Sequence, residues 1–361
     1  EIRELLEILG STERLRVVIN EELSEIKNEY GDSRKTEIVE SQLDLSDEDL
    51  IADEDIVLTI SHQGYAKTQP LDTYQAQRRG GRGKAAASVK DEDFVEHLIF
   101  ANSHATVLCF SDKGKVYWLR VFQIPQASRT AKGRPMINIL ALDSEERITT
   151  ILPLAAHSSD QFVFMATANG TVKKTPLEQF SRPRASGLIA LDLEDDNWLV
   201  GAAITDGQSD IMLCSSAGKA VRFNETDVRS MGRTAKGVRG IRLSKDQKVI
   251  SLIVPEPDGR LLTASANGYG KSTYVSEFST KGRGGQGMIA MQTSERNGGL
   301  VGAVQVFGPD EVMLISNLGT LVRTPVDKIS TLGRNTQGVR LINLKEGESL
   351  NSVERIFDEE A

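Results

Sequence analysis

Leu213-Cys214-Ser215-Ser216-Ala217-Gly218-Lys219-Ala220-Val221-Arg222 holds the pattern from which the fold is read. An apolar run leads into a serine, two further residues and a glycine, and a second strand-like run follows. A tetrapeptide ending in glycine between two such runs is a hairpin turn, because glycine accepts the positive φ the turn needs. The same pattern recurs with Ser61 and Gly64, Ser111 and Gly114, Thr167 and Gly170, Ser265 and Gly268, and Ser316 and Gly319. Successive glycines lie 50, 56, 48, 50 and 51 residues apart, so the chain contains six copies of one unit.

A second glycine follows the first by 19 residues in five units, at Gly83, Gly133, Gly237, Gly287 and Gly338, and by 17 in the third, at Gly187. Apolar, strand-like runs come after it, as at 136–140, 238–243 and 339–344. Each unit thus reads as about four strands and two loops. Such a unit cannot bury its own faces, but copies set around an axis cover one another as propeller-like blades. The expected fold is all-β and six-bladed over residues 53–361, with a short helical N-terminal tail.

The flanking segments differ in character. In residues 1–31, Leu15, Ile19, Leu23, Ile26 and Tyr30 recur at steps of four and three, one apolar stripe of a helix. Ser11 or Thr12 is placed to cap the helix and Gly31 to end it, with Gly10 setting off a shorter piece before it. Because the chain opens on Glu1 inside a helical pattern, it is expected to continue a longer upstream helical region. Residues 32–52 are polar and acidic and read as a linker, with a short strand expected at 36–43. Aromatics make up only 5% of the chain against 31 glycines, which fits many tight turns and modest separate cores. Cys109 and Cys214 sit in apolar runs without a C-x-x-C spacing, so neither a disulfide framework nor a zinc site is expected, and a reducing cytoplasm fits. No apolar stretch is long enough to span a bilayer.

A net charge of −8 argues at first against a nucleic-acid partner, but its distribution matters more than its sum. Much of the acid lies in residues 44–55 (DLSDEDLIADED) and at the C-terminus, whereas the basic residues return inside the repeated loops. Four residues before the second glycine stands Arg79, Arg129, Arg233, Arg283 or Arg334; the third unit has Pro183 there, between Arg182 and Arg184. Directly before that glycine comes Arg82, Lys132, Lys236, Gln286 or Gln337. A second basic series follows the hairpin turn: Lys67, Lys173 and Lys174, Arg222, Lys271 and Arg323, with Arg120 a little later in the second unit. Equivalent positions in a ring of blades make a rim of positive charge with regular spacing. Arginine forks match phosphate oxygens, and binding of this kind is indifferent to base sequence. Curving a 20–30 bp site by 40–90° costs roughly 1–6 kcal/mol, so several loops must act together. The rival reading from another class is a propeller that binds protein partners, with its rim charges incidental.

The first unit carries the most basic loop, Gln77-Arg78-Arg79-Gly80-Gly81-Arg82-Gly83-Lys84. Its glycines allow close approach of backbone N–H groups to an anion. This stretch resembles the box that marks the C-terminal domain of bacterial DNA gyrase A, and the likeness extends through all six repeats. The resemblance implies a six-bladed β-pinwheel whose blades exchange strands, and a rim that wraps double-stranded DNA with a positive sense. It also implies an ATP-dependent cycle that introduces negative supercoils. In that setting ATP and Mg2+ serve the holoenzyme and not this chain. The implied partners are gyrase B and a second copy of gyrase A, as an A2B2 tetramer. The box arginines Arg78, Arg79 and Arg82 would hold the wrap closed. The corresponding polypeptide of topoisomerase IV is the close alternative, favoured less because its box is usually degraded and its blades fewer.

Other signals carry less. Residues 265–272 (SANGYGKS) approach a phosphate-binding loop but begin with Ser265 where a glycine belongs, and they sit on a repeat hairpin. Residues 282–287 (GRGGQG) match a dinucleotide fingerprint in letters only, with no helix expected after them. His62, His97, His104 and His157 show no ligand spacing. The family's cleaving tyrosine belongs to an upstream domain, so none of Tyr30, Tyr65, Tyr74, Tyr117, Tyr269 or Tyr274 is taken for it. This chain on its own is expected to be non-catalytic, with no catalytic or metal-binding residue.

Overall fold

A computed structural model describes residues 1–32, 50–61, 63–70, 95–128, 131–154, 160–318 and 320–356. The strand expected at 36–43, His62 and His157 lie outside them. The chain divides into two units, Glu1–Leu50 and Ile51–Ala361.

The first unit is a helical pair, α1 (Ile2–Gly10) and α2 (Thr12–Tyr30). Ser11 separates them in an extended conformation, and its hydroxyl accepts the backbone N–H of Arg14 at 3.3 Å, which caps α2. At the other end Gly31 donates its N–H to the carbonyl of Lys27. The apolar stripe from Leu15 to Tyr30 is exposed. No helix among the described residues is long and apolar enough to cross a membrane.

The second unit is a six-bladed β-propeller of antiparallel sheets. In the fourth blade, Asp210–Ser215 pairs with Lys219–Asn224 across the turn read from the sequence, and Val249–Ile253 lies on the other side of Asp210–Ser215. The turn glycine Gly218 has φ of 75° and donates its N–H to the carbonyl of Ser215 at 3.0 Å. Gly64, Gly114, Gly170 and Gly268 repeat both features. The serine or threonine at the head of the turn bonds the strand start: Tyr65 donates its N–H to Ser61 Oγ, and Lys115 to Ser111 Oγ. The strands equivalent to Val249–Ile253 pack against one another in chain order.

The fourth strand of a blade comes from the next unit. Arg134–Pro135 pairs with Tyr65–Pro70 of the first blade, Leu188–Ile189 with Lys115–Arg120 of the second, and Val238–Arg239 with Thr171–Pro176 of the third. Met288–Ile289 and Val339–Arg340 do the same for the fourth and fifth. The sixth sheet has three strands among the described residues. The apolar runs after the second glycine therefore differ from the long strands expected. After the second glycine of units two to six only two residues pair with the sheet, and in unit two these are Arg134–Pro135, with the run at 136–140 turning into a 3-10 helix over Met136–Asn138. In the runs at 238–243 and 339–344 later residues instead join the core, as Ile241 and Ile342 do.

The cores lie between blades. Leu58 of the first sheet packs with Val107 and Leu119 of the second, and Phe164 and Val172 of the third with Ile211 and Phe223 of the fourth. Each fully buried side chain of this kind contributes about 1.5–3 kcal/mol, so each blade draws much of its stability from its neighbour. Cys109 and Cys214 are free thiols inside these cores, and burial pushes the pKa of each up to about 12.

Candidate nucleic-acid interface

In units two, four, five and six the second glycine seats its loop on the preceding blade. Gly133, Gly237, Gly287 and Gly338 have φ of 88°, 96°, 73° and 76°. A Cβ added to them would lie 2.3, 2.5, 2.5 and 2.7 Å from the backbone oxygens of Ala66, Val172, Ala220 and Gly270. Only glycine meets both conditions. The basic loops of units two to six are thereby carried to the outer edges of blades one to five. Residues 77–84 and Arg129 lie outside the described residues, so the geometry of the interface rests on the later loops.

Of the first basic series, Lys132, Arg182, Arg184, Lys236 and Arg283 are exposed, and Arg233 and Arg334 are half-buried. Lys132 stands 5.8 Å from the ring centre of Tyr65. Lys236 faces Glu194 at 3.5 Å, a solvent-exposed pair of the weak kind. The Arg283 guanidinium donates to the carbonyls of Asp227 and Arg239 at 2.9 and 3.0 Å, which fixes its direction at the edge of the fourth blade. The backbone N–H of Arg233 is held by Gln179 and that of Arg334 by Glu277.

Most of the second basic series is placed differently from its expected position on the rim surface, whereas Arg323 and Arg120 are exposed. Lys67 is 3% exposed, and Lys173 and Lys271 are fully buried. Lys67 donates to the carbonyls of Ser128 and Ala131 at 3.2 and 3.1 Å. Lys173 donates to the carbonyls of Ala190, at 2.7 Å, and Arg233. Lys271 donates to those of Gly333 and Arg334, both at 2.6 Å. Burial lowers all three pKa values, those of Lys173 and Lys271 to about 8. Lys174 is also buried, against Glu225 and the ring of Phe162. Arg222 is tied to Asp210 at 2.8 Å and to the carbonyls of Val275 and Phe278, and Arg323 pairs with Glu311. Arg120 is exposed.

The structure adds cations that the loop pattern missed. Arg134, Arg239 and Arg340 are exposed on the outermost strands of blades one, three and five, beside the loops. The sequence does carry a signal for two of them, since Gly-Val-Arg occurs at both 237–239 and 338–340. Short edge strands bearing charge also discourage pairing with another sheet. The arrangement suits contact with a regular array of anions, and among the described residues of the propeller it supplies no α-helix to enter a groove and read base edges.

The two nucleotide-binding look-alikes resolve into parts of this framework. Ser265 to Ser272 spans a hairpin, and its Lys271 is consumed by the carbonyls of Gly333 and Arg334. Gly287 leads into the edge strand Met288–Ile289, not into a helix. Among the described residues no three His, Cys, Asp or Glu side chains converge around a common point, and no step through Mg2+ or ATP is assigned to this chain.

Comparison with known proteins agrees with this architecture. The family model "DNA gyrase C-terminal domain, beta-propeller" matches residues 55–102, 105–155, 161–206, 209–256, 259–306 and 310–356, one match per blade. The DNA gyrase A protein of Pseudomonas aeruginosa is 55% identical over 98% of this chain and 43% of its own length. The chain spans less than half the length of the curated relatives it matches, 40–44% for those of Pseudomonas aeruginosa, Salmonella typhimurium and Haemophilus influenzae. A solved DNA gyrase A C-terminal domain superposes with a TM-score of 0.68 at 26% identity, covering 84% of this chain and 100% of that one. The C-terminal domain of DNA topoisomerase IV superposes with a TM-score of 0.72 at 24% identity, covering 85% and 94%, a likeness of fold. With six family matches coinciding with six blades, the chain belongs to the family of DNA gyrase A C-terminal β-propeller domains.

Proposed function

We propose that the outer rim binds double-stranded DNA through its phosphates, without reading sequence, and curves the duplex around the blades. The observation that carries this reading is the return of exposed cations on the outer edges of five successive blades: Lys132 with Arg134, Arg182 with Arg184, Lys236 with Arg239, Arg283, and Arg340. Each neutralised phosphate releases condensed counterions, so affinity grows with the number of edges engaged. The loop 77–84 is assigned to the same surface as its most basic member, and Arg129 joins it. Lys67, Lys173, Lys174 and Lys271 are assigned indirect roles because they are buried, and Arg222 and Arg323 because Asp210 and Glu311 pair closely with them.

Within a longer polypeptide, the wrapped DNA would be presented for passage through a second duplex, so that an ATP-dependent type II topoisomerase introduces negative supercoils. A second copy of gyrase A, gyrase B, ATP and Mg2+ would belong to that cytoplasmic holoenzyme, with this chain the non-catalytic wrapping part. The test is binding to random-sequence linear DNA at rising salt. The reading predicts a steep fall in affinity with salt and no preference among sequences. Salt-independent binding, or no binding at all, would overturn it, and no binding would leave the protein-binding propeller.

A further inference from the structure

We propose that Lys67, Lys173 and Lys271 are positioning residues that anchor from beneath the loops of units two, four and six and so hold the rim in its DNA-binding shape. The proposal rests on the DNA-binding reading of the rim.

The three lysines occupy one structural position, three residues after the hairpin glycines Gly64, Gly170 and Gly268. In the other blades the same position holds Tyr117, Val221 and Val322, so the lysine returns in every second blade. In each case the ammonium crosses to the loop of the following unit, and its acceptors include carbonyls of that loop. For Lys173 and Lys271 these include the carbonyl of the loop arginine itself, Arg233 or Arg334. For Lys67 they are the carbonyls of Ser128 and Ala131. Among the described residues a parallel bridge accompanies the anchor in these blades alone, at Thr68 with Gln126, Lys174 with Ser230, and Ser272 with Thr331.

A buried ammonium is costly unless its donors are met, and loop carbonyls turned inward need a donor in their turn. Each partner therefore fixes the other. Pinning the carbonyl of Arg233 or Arg334 fixes the peptide plane that follows that arginine, and with it the course of the loop. The charges facing Lys173 are those of Arg233 and Asp192, and those facing Lys271 are Glu277 and Arg334. Methionine keeps much of the lysine stem and removes the donors.

The test compares the chain with its Lys173→Met, Lys271→Met and double variants. Melting confirms folding, hydrogen exchange follows the loop amides of 233–237 and 333–338, and titration measures affinity for random-sequence DNA. The expected result is at least tenfold faster exchange in those two loops only, the loops at 182–187 and 283–287 being unchanged, with about tenfold weaker DNA binding in the double variant. Where the double variant does not fold, each single variant must loosen its own loop alone. Unchanged exchange in a folded variant overturns the anchoring, and faster exchange with full DNA affinity overturns its role in binding. Failure of the unsubstituted chain to bind DNA overturns the reading of the rim, a separate outcome from the exchange result.

Discussion

The ammonium of Lys271 lies 2.6 Å from the backbone carbonyl of Arg334, 63 residues away in the next unit. A cation that reads in sequence as one more rim charge is therefore internal, and it supports the loop that carries the rim arginine. The same relation joins Lys173 to Arg233. The basic residues thus divide into a layer facing solvent and a layer beneath it.

The inner layer makes stability depend on pH in a defined direction. Lys173 and Lys271 fall to about 8 in the folded chain from 10.5. Between these values the unfolded chain binds more protons, so their contribution to stability grows as pH rises from 8 to 10.5 and is lost as pH falls through 8. The expected outcome is that the melting temperature of the unsubstituted chain gains on that of the Lys173→Met, Lys271→Met variant between about pH 7.5 and 9.5. Parallel curves would contradict the burial of these charges.

Gly133, Gly237, Gly287 and Gly338 should tolerate no side chain. Gly237→Ala must place a Cβ 2.5 Å from the carbonyl oxygen of Val172 at a φ of 96°. A left-handed non-glycine residue alone costs about 1–2 kcal/mol, and the contact adds to it. Urea unfolding should show a loss of at least about 2 kcal/mol. Gly282→Ala, with no neighbour within 4 Å of its added Cβ, should change stability by less than about 0.5 kcal/mol.

The outer-strand arginines offer a test that separates binding from folding. Arg134, Arg239 and Arg340 are exposed, and Arg340 also donates to the Tyr269 hydroxyl at 2.9 Å, so substitution of all three by glutamine should cost no more than about 1 kcal/mol of stability. Each phosphate contact removed should lower the slope of log affinity against log salt by about 1. A triple variant that binds as the unsubstituted chain does would remove these residues from the interface.

Much of the fold is legible in the sequence, and the reasons are specific. Gly64, Gly114, Gly170, Gly218 and Gly268 mark the hairpins because one backbone conformation demands glycine at each. The exchanged strand has no such mark as a strand, since two residues such as Val238 and Arg239 cannot show a period of two. A lysine after a turn ordinarily reaches water, so Lys67, Lys173 and Lys271 read in sequence as surface charges. Contacts far apart in the chain, such as Lys173 with Arg233, 60 residues on, show that their nitrogens turn inward. Arg134, Arg239 and Arg340 follow the second glycine and so fall outside the repeated pattern of basic residues that precedes it.

Ligating nicked circular DNA in the presence of the chain tests the wrapping claim most directly. A rim that curves DNA around successive blades predicts a shift in linking number that grows with the amount of chain bound, positive in sense as the family resemblance implies. A topoisomer distribution unchanged at saturating chain would contradict the account, whatever the affinity.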